Sequence, residues 1–292
     1  MSNLLDGVII KGIGGFYYVN TQSGLIECRA RGVFRKRGDT PLVGDNVVIE
    51  TSDSTHGVIS EINQRKNVLI RPAVANVTQM VVVVAQSSPA PNPYILDKLI
   101  ASAEFVGLKI AICFNKADLG GCDELIDVYK NAGFDVIVTS ATKHEGIQHL
   151  IEFLKDEITV FAGNSGVGKS SLINELMMRD MFETGKVSQK LERGRHTTRH
   201  SELAELPFGG YIIDTPGFSS FDVNTIPLEE LPAMFREFGT VEGNCRFDDC
   251  SHRSEPDCCI LKAVNDGEIA KSRHESYVQL YSEIKSAREN IY

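Results

Sequence analysis

A chain of 292 residues with 42% hydrophobic and 24% charged side chains has the make-up of a folded protein of about two domains, or three if one is small, and wholesale disorder is excluded. Its longest strongly apolar run, Met80–Ala85, is far short of the ~20 residues of a membrane-spanning helix, and Asp6 precedes any basic residue, unlike a secretory signal. A protein that neither spans a membrane nor is secreted is therefore expected, and the net charge of −9 argues against a generic polyanion binder, so that any nucleic-acid contact should come from local patches.

Residues 4–62 read as five short strands, Leu4–Lys11, Phe16–Val19, Leu25–Ala30, Asn46–Glu50 and Val58–Ile62, separated by breaks such as Gly12–Gly15. This spacing suits a small Greek-key barrel of the OB type or an SH3-like barrel and does not choose between them. The connection from the third strand to the fourth carries Arg29, Arg31, Arg35, Lys36 and Arg37. These are candidate RNA-phosphate contacts, or else an ordinary solvated loop.

From Val77 the pattern changes. Apolar strands at Val77–Ala85, Ile110–Phe114, Val136–Thr139, Ile158–Ala162 and Tyr211–Ile213 alternate with helical patterns at Ile95–Val106, Glu124–Asn131, Ile147–Leu154 and Ser170–Met178. Continuous apolar strands between helices predict an α/β domain with a mostly parallel sheet covered on both faces. A short helix is expected around Leu228–Phe238. It is followed by a cysteine cluster and a terminal helix in which Tyr277, Leu280, Tyr281 and Ile284 recur at helical spacing, as packing residues do. The expected division is a barrel over 1–70, an α/β domain over 71–225 and a small helical domain over 226–292.

Gly163-Asn164-Ser165-Gly166-Val167-Gly168-Lys169-Ser170 has the form GxxxxGK[ST], preceded by a strand and followed by a helical stretch that begins at Ser171. Its glycines let the backbone turn N–H groups toward a phosphate at a helix N-terminus. Lys169 can reach the β- and γ-phosphates, and the Ser170 hydroxyl can ligate Mg²⁺. Asn115-Lys116-Ala117-Asp118 lies where the strand Ile110–Phe114 ends, at the carboxyl edge of the sheet where ligands bind. A carboxylate at Asp118 can accept from N1–H and the N2 amine of guanine, a donor pair that adenine lacks. Ser140-Ala141, ending the next strand, would add backbone contacts to the base. Asp214-Thr-Pro-Gly217 follows Tyr211–Ile213; Asp214 can hold the Mg²⁺ shell and the Gly217 N–H can touch the γ-phosphate.

Cys245, Cys250, His252 and Cys258, four residues within a fourteen-residue stretch, supply three thiolates and an imidazole, enough to close a tetrahedral Zn²⁺ shell. With no position left for water, such a zinc is structural and staples a segment too short to form its own core. Cys259 reads as a spare thiol, since adjacent side chains point in different directions. Seven cysteines in a chain without an export signal also favour metal ligation over disulfides.

N-K-x-D, S-A, GxxxxGKS and DxxG form the GTPase motif set, but here the base-reading motifs precede the P-loop. That rotated order, between a small barrel and a Cys/His tail, resembles the circularly permuted GTPases of the ribosome-small-subunit-dependent GTPase A family (RsgA, YjeQ or YloQ). The resemblance implies a GTP hydrolase of the cytoplasm, a monomer. It would bind the immature small ribosomal subunit and its rRNA late in maturation and leave after hydrolysis, with the same four residues as zinc ligands. Where many small GTPases place a water-orienting Gln after DxxG, this chain has Phe218. Within Gly194–Thr198, His196 is the candidate for orienting water, as the resemblance also implies, and Thr198, or Thr197 in its place, for sensing Mg²⁺. Arg195 is left without a role. Guanosine tetraphosphate keeps the guanine and the 5′-diphosphate and should fit the same site. The competing reading is an RNA-binding module whose nucleotide domain is a passive, degenerate scaffold.

Overall fold

A computed structural model of the chain describes residues 3–51, 53, 55–70, 73–184, 202–213 and 223–289, apart from the side chains of 35–37, 70 and 178–184. Contacts divide the chain into two units: residues 1–79, 154–160 and 176–218 make the first, and residues 80–153, 161–175 and 219–292 the second.

In the first unit, β1 (Asn3–Ile13), β2 (Phe16–Thr21), β3 (Gly24–Ala30), β4 (Asn46–Thr51) and β5 (His56–Ile62) close a barrel in the order β1-β2-β3-β5-β4, with the helix α1 (Gly32–Arg37) between β3 and β4. β3 and β5 pair in parallel and every other pair is antiparallel. That closure selects the OB arrangement over the SH3-like one. The interior follows the two-residue period of strands: Ile26 and Cys28, Val47 and Ile49 alternate inward and join Ile9, Val19 and Ile59, all at 1% exposure or less. Gly7 is required where β1 crosses β2, because a Cβ there would stand 2.5 Å from Val19 and 2.6 Å from the Asn20 carbonyl. Below the barrel, Arg65 grips the fully buried Asp45 with two hydrogen bonds of 2.6 and 2.7 Å. The following hairpin of β6 (Val68–Ile70) and β7 (Ala73–Ala75) is too short to show a sequence period.

The α/β sheet has the strand order β10-β9-β8-β11-β13-β12. Its strands are β8 (Gln79–Ala85), β9 (Lys109–Asn115), β10 (Asp135–Val138), β11 (Ile158–Ala162), β12 (Leu203–Glu205) and β13 (Tyr211–Ile213). β9 with β10 and β11 with β13 are parallel; β12 is an antiparallel edge strand. Every residue of β8 is buried, as the unbroken apolar run requires of a strand covered on both faces.

In the second unit, α2 (Pro93–Val106) starts behind an Asn92 cap with proline in its first turn and ends at Gly107, whose φ of 75° suits glycine. α3 (Asp123–Asn131) and α4 (Ile147–Leu154) follow β9 and β10, and α5 (Lys169–Thr184) follows β11. The helix expected around Leu228–Phe238 is not formed. Two 3₁₀ turns, Leu231–Met234 and Arg236–Thr240, occupy it, because Pro232 lacks the N–H and adds the ring clash that a longer helix cannot accommodate. The tail ends in α6 (Cys259–Asp266) and α7 (Lys271–Glu289). Tyr277, Leu280 and Ile284 are fully buried among Leu231, Phe235 and Ile260, which confirms the packing stripe.

A charged cluster lies inside this packing. Arg273, on α7, is 1% exposed and donates to Glu237 at 2.6 and 3.0 Å and to Asp97 of α2 at 2.5 Å. Its guanidinium also stacks on Phe235, 4.6 Å from the ring centre. Burial opposes its charge, but the carboxylates of Asp97 and Glu237 override that cost and raise its pKa above the ordinary arginine value. Among the described residues, no helix is long and apolar enough to cross a membrane.

Candidate functional site

The second unit brings the base-reading and phosphate-binding motifs together. Asn115, the last residue of β9, is 1% exposed and donates through Nδ2 to the Val167 carbonyl at 3.0 Å. Its Oδ1 accepts from the Thr139 hydroxyl at 3.2 Å and the Ala141 N–H at 3.3 Å. One amide thus ties the P-loop to the strand end carrying Ser140 and Ala141. Lys116 takes a left-handed backbone conformation (φ 63°), and its ammonium donates to the carbonyls of Ser88 and Gly166, at 2.5 and 2.7 Å. Ala117 N–H bonds the Thr139 carbonyl at 3.0 Å. Asp118 is exposed at the mouth, and its Oδ1 accepts from the Ser140 hydroxyl at 2.5 Å. That hydrogen bond is the main reason its carboxyl sits below the usual aspartate pKa. An ionised acceptor is the state a pair of ring donors needs.

The P-loop itself runs Gly163–Ser170 into the start of α5, with Val167 buried and Asn164, Ser165, Gly166, Ser170 and Ser171 exposed. Two glycines are fixed by their surroundings. A Cβ at Gly163 (φ 131°) would lie 2.3 Å from the Val83 carbonyl oxygen, and one at Gly168 (φ 97°) 2.3 Å from Asn115 Nδ2. Lys169 curls back so that Nζ donates to the carbonyls of Gly163 and Asn164 at 2.6 and 2.7 Å. Partial burial lowers its pKa from the ordinary lysine value. In this arrangement the P-loop carbonyls hold the ammonium where a phosphate would otherwise attract it. Arg195, His196, Thr197 and Thr198, together with Asp214, Gly217 and Phe218, lie outside the described residues.

In the tail, Cys245, Cys250, His252 and Cys258 place one donor atom each within 4.8 Å of one another. Zinc bonds of about 2.3 Å to sulfur and about 2.0–2.1 Å to nitrogen make tetrahedral edges of about 3.8 Å between sulfurs and about 3.6 Å between sulfur and nitrogen. The observed edges are 3.8 Å for Cys245 to Cys258, 3.5 Å for Cys245 to His252 Nδ1 and 3.4 Å for His252 Nδ1 to Cys258. The donor set therefore fits zinc. Burial also lowers the His252 pKa, which favours the neutral imidazole that a metal ligand must be. The ligand loop has its own supports. Glu255 accepts from the N–H groups of Ser251, Arg253 and Ser254 at 3.0, 2.9 and 3.0 Å, and from α7 His274 reaches the His252 carbonyl and Tyr277 the Ser251 carbonyl, both at 2.7 Å. Burial works to raise the Glu255 pKa, yet the hydrogen bonds from Ser251 and these N–H groups outweigh it and hold the carboxyl well below its usual range.

Of the barrel's basic residues, Arg29 stacks on Phe16 with 4.6 Å to the ring centre, and Arg31 pairs with Glu50 at 2.7 Å. Arg35, Lys36 and Arg37 belong to α1, and their side chains are outside the described set. Sequence reasoning missed Thr139, the left-handed turn at Lys116, the Glu255 clasp and the position of Cys259. Only the hydroxyl preceding Ser140-Ala141 offered a signal, and a weak one.

Comparison with known proteins agrees with this geometry. The family model described as RsgA GTPase matches residues 62–224, and that for the RsgA N-terminal domain matches residues 6–59. A protein of Caldanaerobacter subterraneus, named small ribosomal subunit biogenesis GTPase RsgA, is 47% identical over 99% of this chain and 98% of its own length. A Ruminiclostridium cellulolyticum protein of the same name is 48% identical over 96% and 93%. Among solved structures, YjeQ from Thermotoga maritima superposes with a TM-score of 0.83 at 37% identity, covering 97% of this chain and 99% of that one. YloQ, described as a circularly permuted GTPase, gives 0.82 at 35%, covering 98% and 96%. The likeness runs along nearly the full length of the chain, and this chain belongs to the RsgA family of circularly permuted GTPases.

Proposed function

We propose that the chain acts in biogenesis of the small ribosomal subunit, binding the immature subunit and its rRNA in the GTP state late in maturation and leaving after GTP is hydrolysed. The names of its full-length relatives support the first part. The observation that carries the site assignment is the Asn115 amide, which joins N-K-x-D, S-A and the P-loop on one sheet edge. GTP with Mg²⁺ would bring the scissile γ-phosphate and its charge-neutralising cation.

The chain's residues would do the rest. Asp118 reads the guanine edge, with Ser140 holding its carboxylate and Asn115, Lys116, Ala117 and Ala141 shaping the base pocket. The N–H groups of 163–171 cradle the phosphates, and Lys169 exchanges its carbonyl partners for phosphate oxygens. Ser170, Thr198 and Asp214 hold the cation, Gly217 touches the γ-phosphate, and His196 orients the attacking water. Cys245, Cys250, His252 and Cys258 hold one structural zinc. Arg29, Arg31, Arg35, Lys36 and Arg37 of the barrel contribute contacts to rRNA phosphates.

In this reading residues 1–70, 71–225 and 226–292 act as three domains of a cytoplasmic monomer. The γ-phosphate contact at Gly217 biases the tail, which begins a few residues later in the chain. Guanosine tetraphosphate, which lacks the γ-phosphate, would act as GDP does. The test has two arms. GTP turnover is measured with and without purified small subunits, and subunit affinity is measured with a non-hydrolysable GTP analogue, GDP and the alarmone. Stimulated turnover and tightest binding with the analogue are expected. Absent stimulation and equal affinities would refute the reading.

A further inference from the structure

Cys259 does not point away from the metal cluster as adjacency to Cys258 suggested. Its sulfur stands 3.2 Å from that of Cys245. That separation is well below the ~3.8 Å edge between two sulfurs sharing a tetrahedral zinc, and Cys245, Cys250, His252 and Cys258 already supply four donors within 4.8 Å of one another. Cys259 therefore lies outside the coordination sphere but in contact with one of its ligands. Both sulfurs belong to partly exposed residues, whereas Cys258 is 4% exposed. Cys245 sits in a stretch with no helix or strand, and Cys259 opens α6, so the loop side is the one that can yield.

We propose that Cys245 and Cys259 form a peroxide-sensitive thiol pair, in which oxidation withdraws Cys245 from the zinc as a disulfide. The inference rests on the zinc assignment made above. The steps balance. The Cys245 sulfur attacks one oxygen of hydrogen peroxide, forming an S–O bond while the O–O bond breaks and the departing hydroxide takes up a proton as water. The Cys259 thiol then attacks the sulfenic sulfur; the S–S bond forms, the S–O bond breaks, and the oxygen leaves as water with the Cys259 proton. Two sulfurs give up two electrons and the peroxide becomes two waters. Closing from 3.2 Å to the ~2.0 Å of a disulfide asks for a shift of about 1 Å. Cys250, His252 and Cys258 remain as an incomplete ligand set, and zinc is released.

The experiment uses the full zinc-loaded chain. Zinc content before treatment, expected at one per chain for the parent and for Cys259→Ala, tests the metal assignment by itself. A loss of zinc confined to untreated Cys259→Ala would make Cys259 a ligand and overturn the proposal. Hydrogen peroxide is then added and zinc release is followed with a chromogenic chelator. The parent should release zinc about tenfold faster than Cys259→Ala, because an adjacent thiol turns the second step into an intramolecular one. Dithiothreitol should restore zinc binding to the parent only, since without Cys259 the sulfenic acid proceeds to the irreversible sulfinic acid. Non-reducing peptide mapping of the oxidised parent should join Cys245 to Cys259, a readout that stands even if the variant fails to fold. Equal release rates, or a link from Cys245 to Cys250 or Cys258, would overturn the pairing.

Discussion

Between Asn115 and Lys169 the groups proposed to meet nucleotide lie on short segments bounded by β9, β10, β11 and α5, whereas between Cys245 and Cys258 no helix or strand holds the chain. The first region satisfies its own polar groups: Asn115, Thr139, Lys116 and Lys169 all find carbonyl, hydroxyl or amide partners within the motif set. The second is held by side-chain contacts, among them the Glu255 clasp, the Arg246–Asp257 pair, Arg253 over Tyr281 and two bonds from α7, and its four donors converge on a point that can hold an ion. The difference teaches that the first site is built on strands and helices, whereas the second, in the proposed reading, relies on zinc to hold a segment without either.

Removing zinc is the sharpest way to expose that contrast. A strong chelator should abolish amide-exchange protection across 245–258 and weaken that of α6, while amides around Asn115 and Val167 stay protected. Metal binding in such segments is largely their folding energy. Uniform loss in both regions would erase the distinction. The next largest effect is expected at Arg273. Arg273→Met would leave Asp97 and Glu237 buried without their cation and should cost about 3–5 kcal/mol in urea unfolding. A change below about 1 kcal/mol would mean that packing alone joins α7 to α2.

At the nucleotide site, Asp118→Asn should weaken GTP by about tenfold or more, as loss of hydrogen bonds to a charged group does, and should admit xanthosine triphosphate, whose O2 is an acceptor. Unchanged GTP affinity in a titration would dismiss Asp118 as the guanine reader. The smallest effect is with pH. Because the Ser140 hydrogen bond depresses the Asp118 pKa below its ordinary 3.8, the ionised acceptor is present throughout the neutral range and is lost only as pH falls through that lowered value. The preference for GTP over ATP should therefore stay level from pH 8 to about 5. A fall within that window would place the discriminating proton on another group.

Much of this was legible because the informative residues are close in sequence. The P-loop, N-K-x-D and the spacing of Cys245, Cys250, His252 and Cys258 each carry their chemistry within a few positions, and the apolar runs of β8, β9 and β11 mark a sheet by composition alone. What stayed hidden depends on long-range contact. Nothing near Cys259 reveals that the Cys245 sulfur lies beside it, and nothing near Arg29 or Arg31 predicts that Phe16 and Glu50 occupy them. The OB closure needed the β3–β5 pairing, which no strand spacing encodes. The missing helix at Leu228–Phe238 is a different case. Pro232 stands in plain view there, and its missing N–H is a local signal against a continuous helix.

The bond from Asn115 Nδ2 to the Val167 carbonyl joins residues 52 positions apart, and in this permuted chain the donor is synthesised first. As the polypeptide emerges, the guanine-facing edge has its amide in hand before the acceptor exists. A buried donor without a partner destabilises what it sits in, so the base pocket cannot set until residue 167 has followed it out. Formation of the base pocket is thereby timed to the emergence of the P-loop, and GTP cannot serve as a template for the stages of folding that precede it.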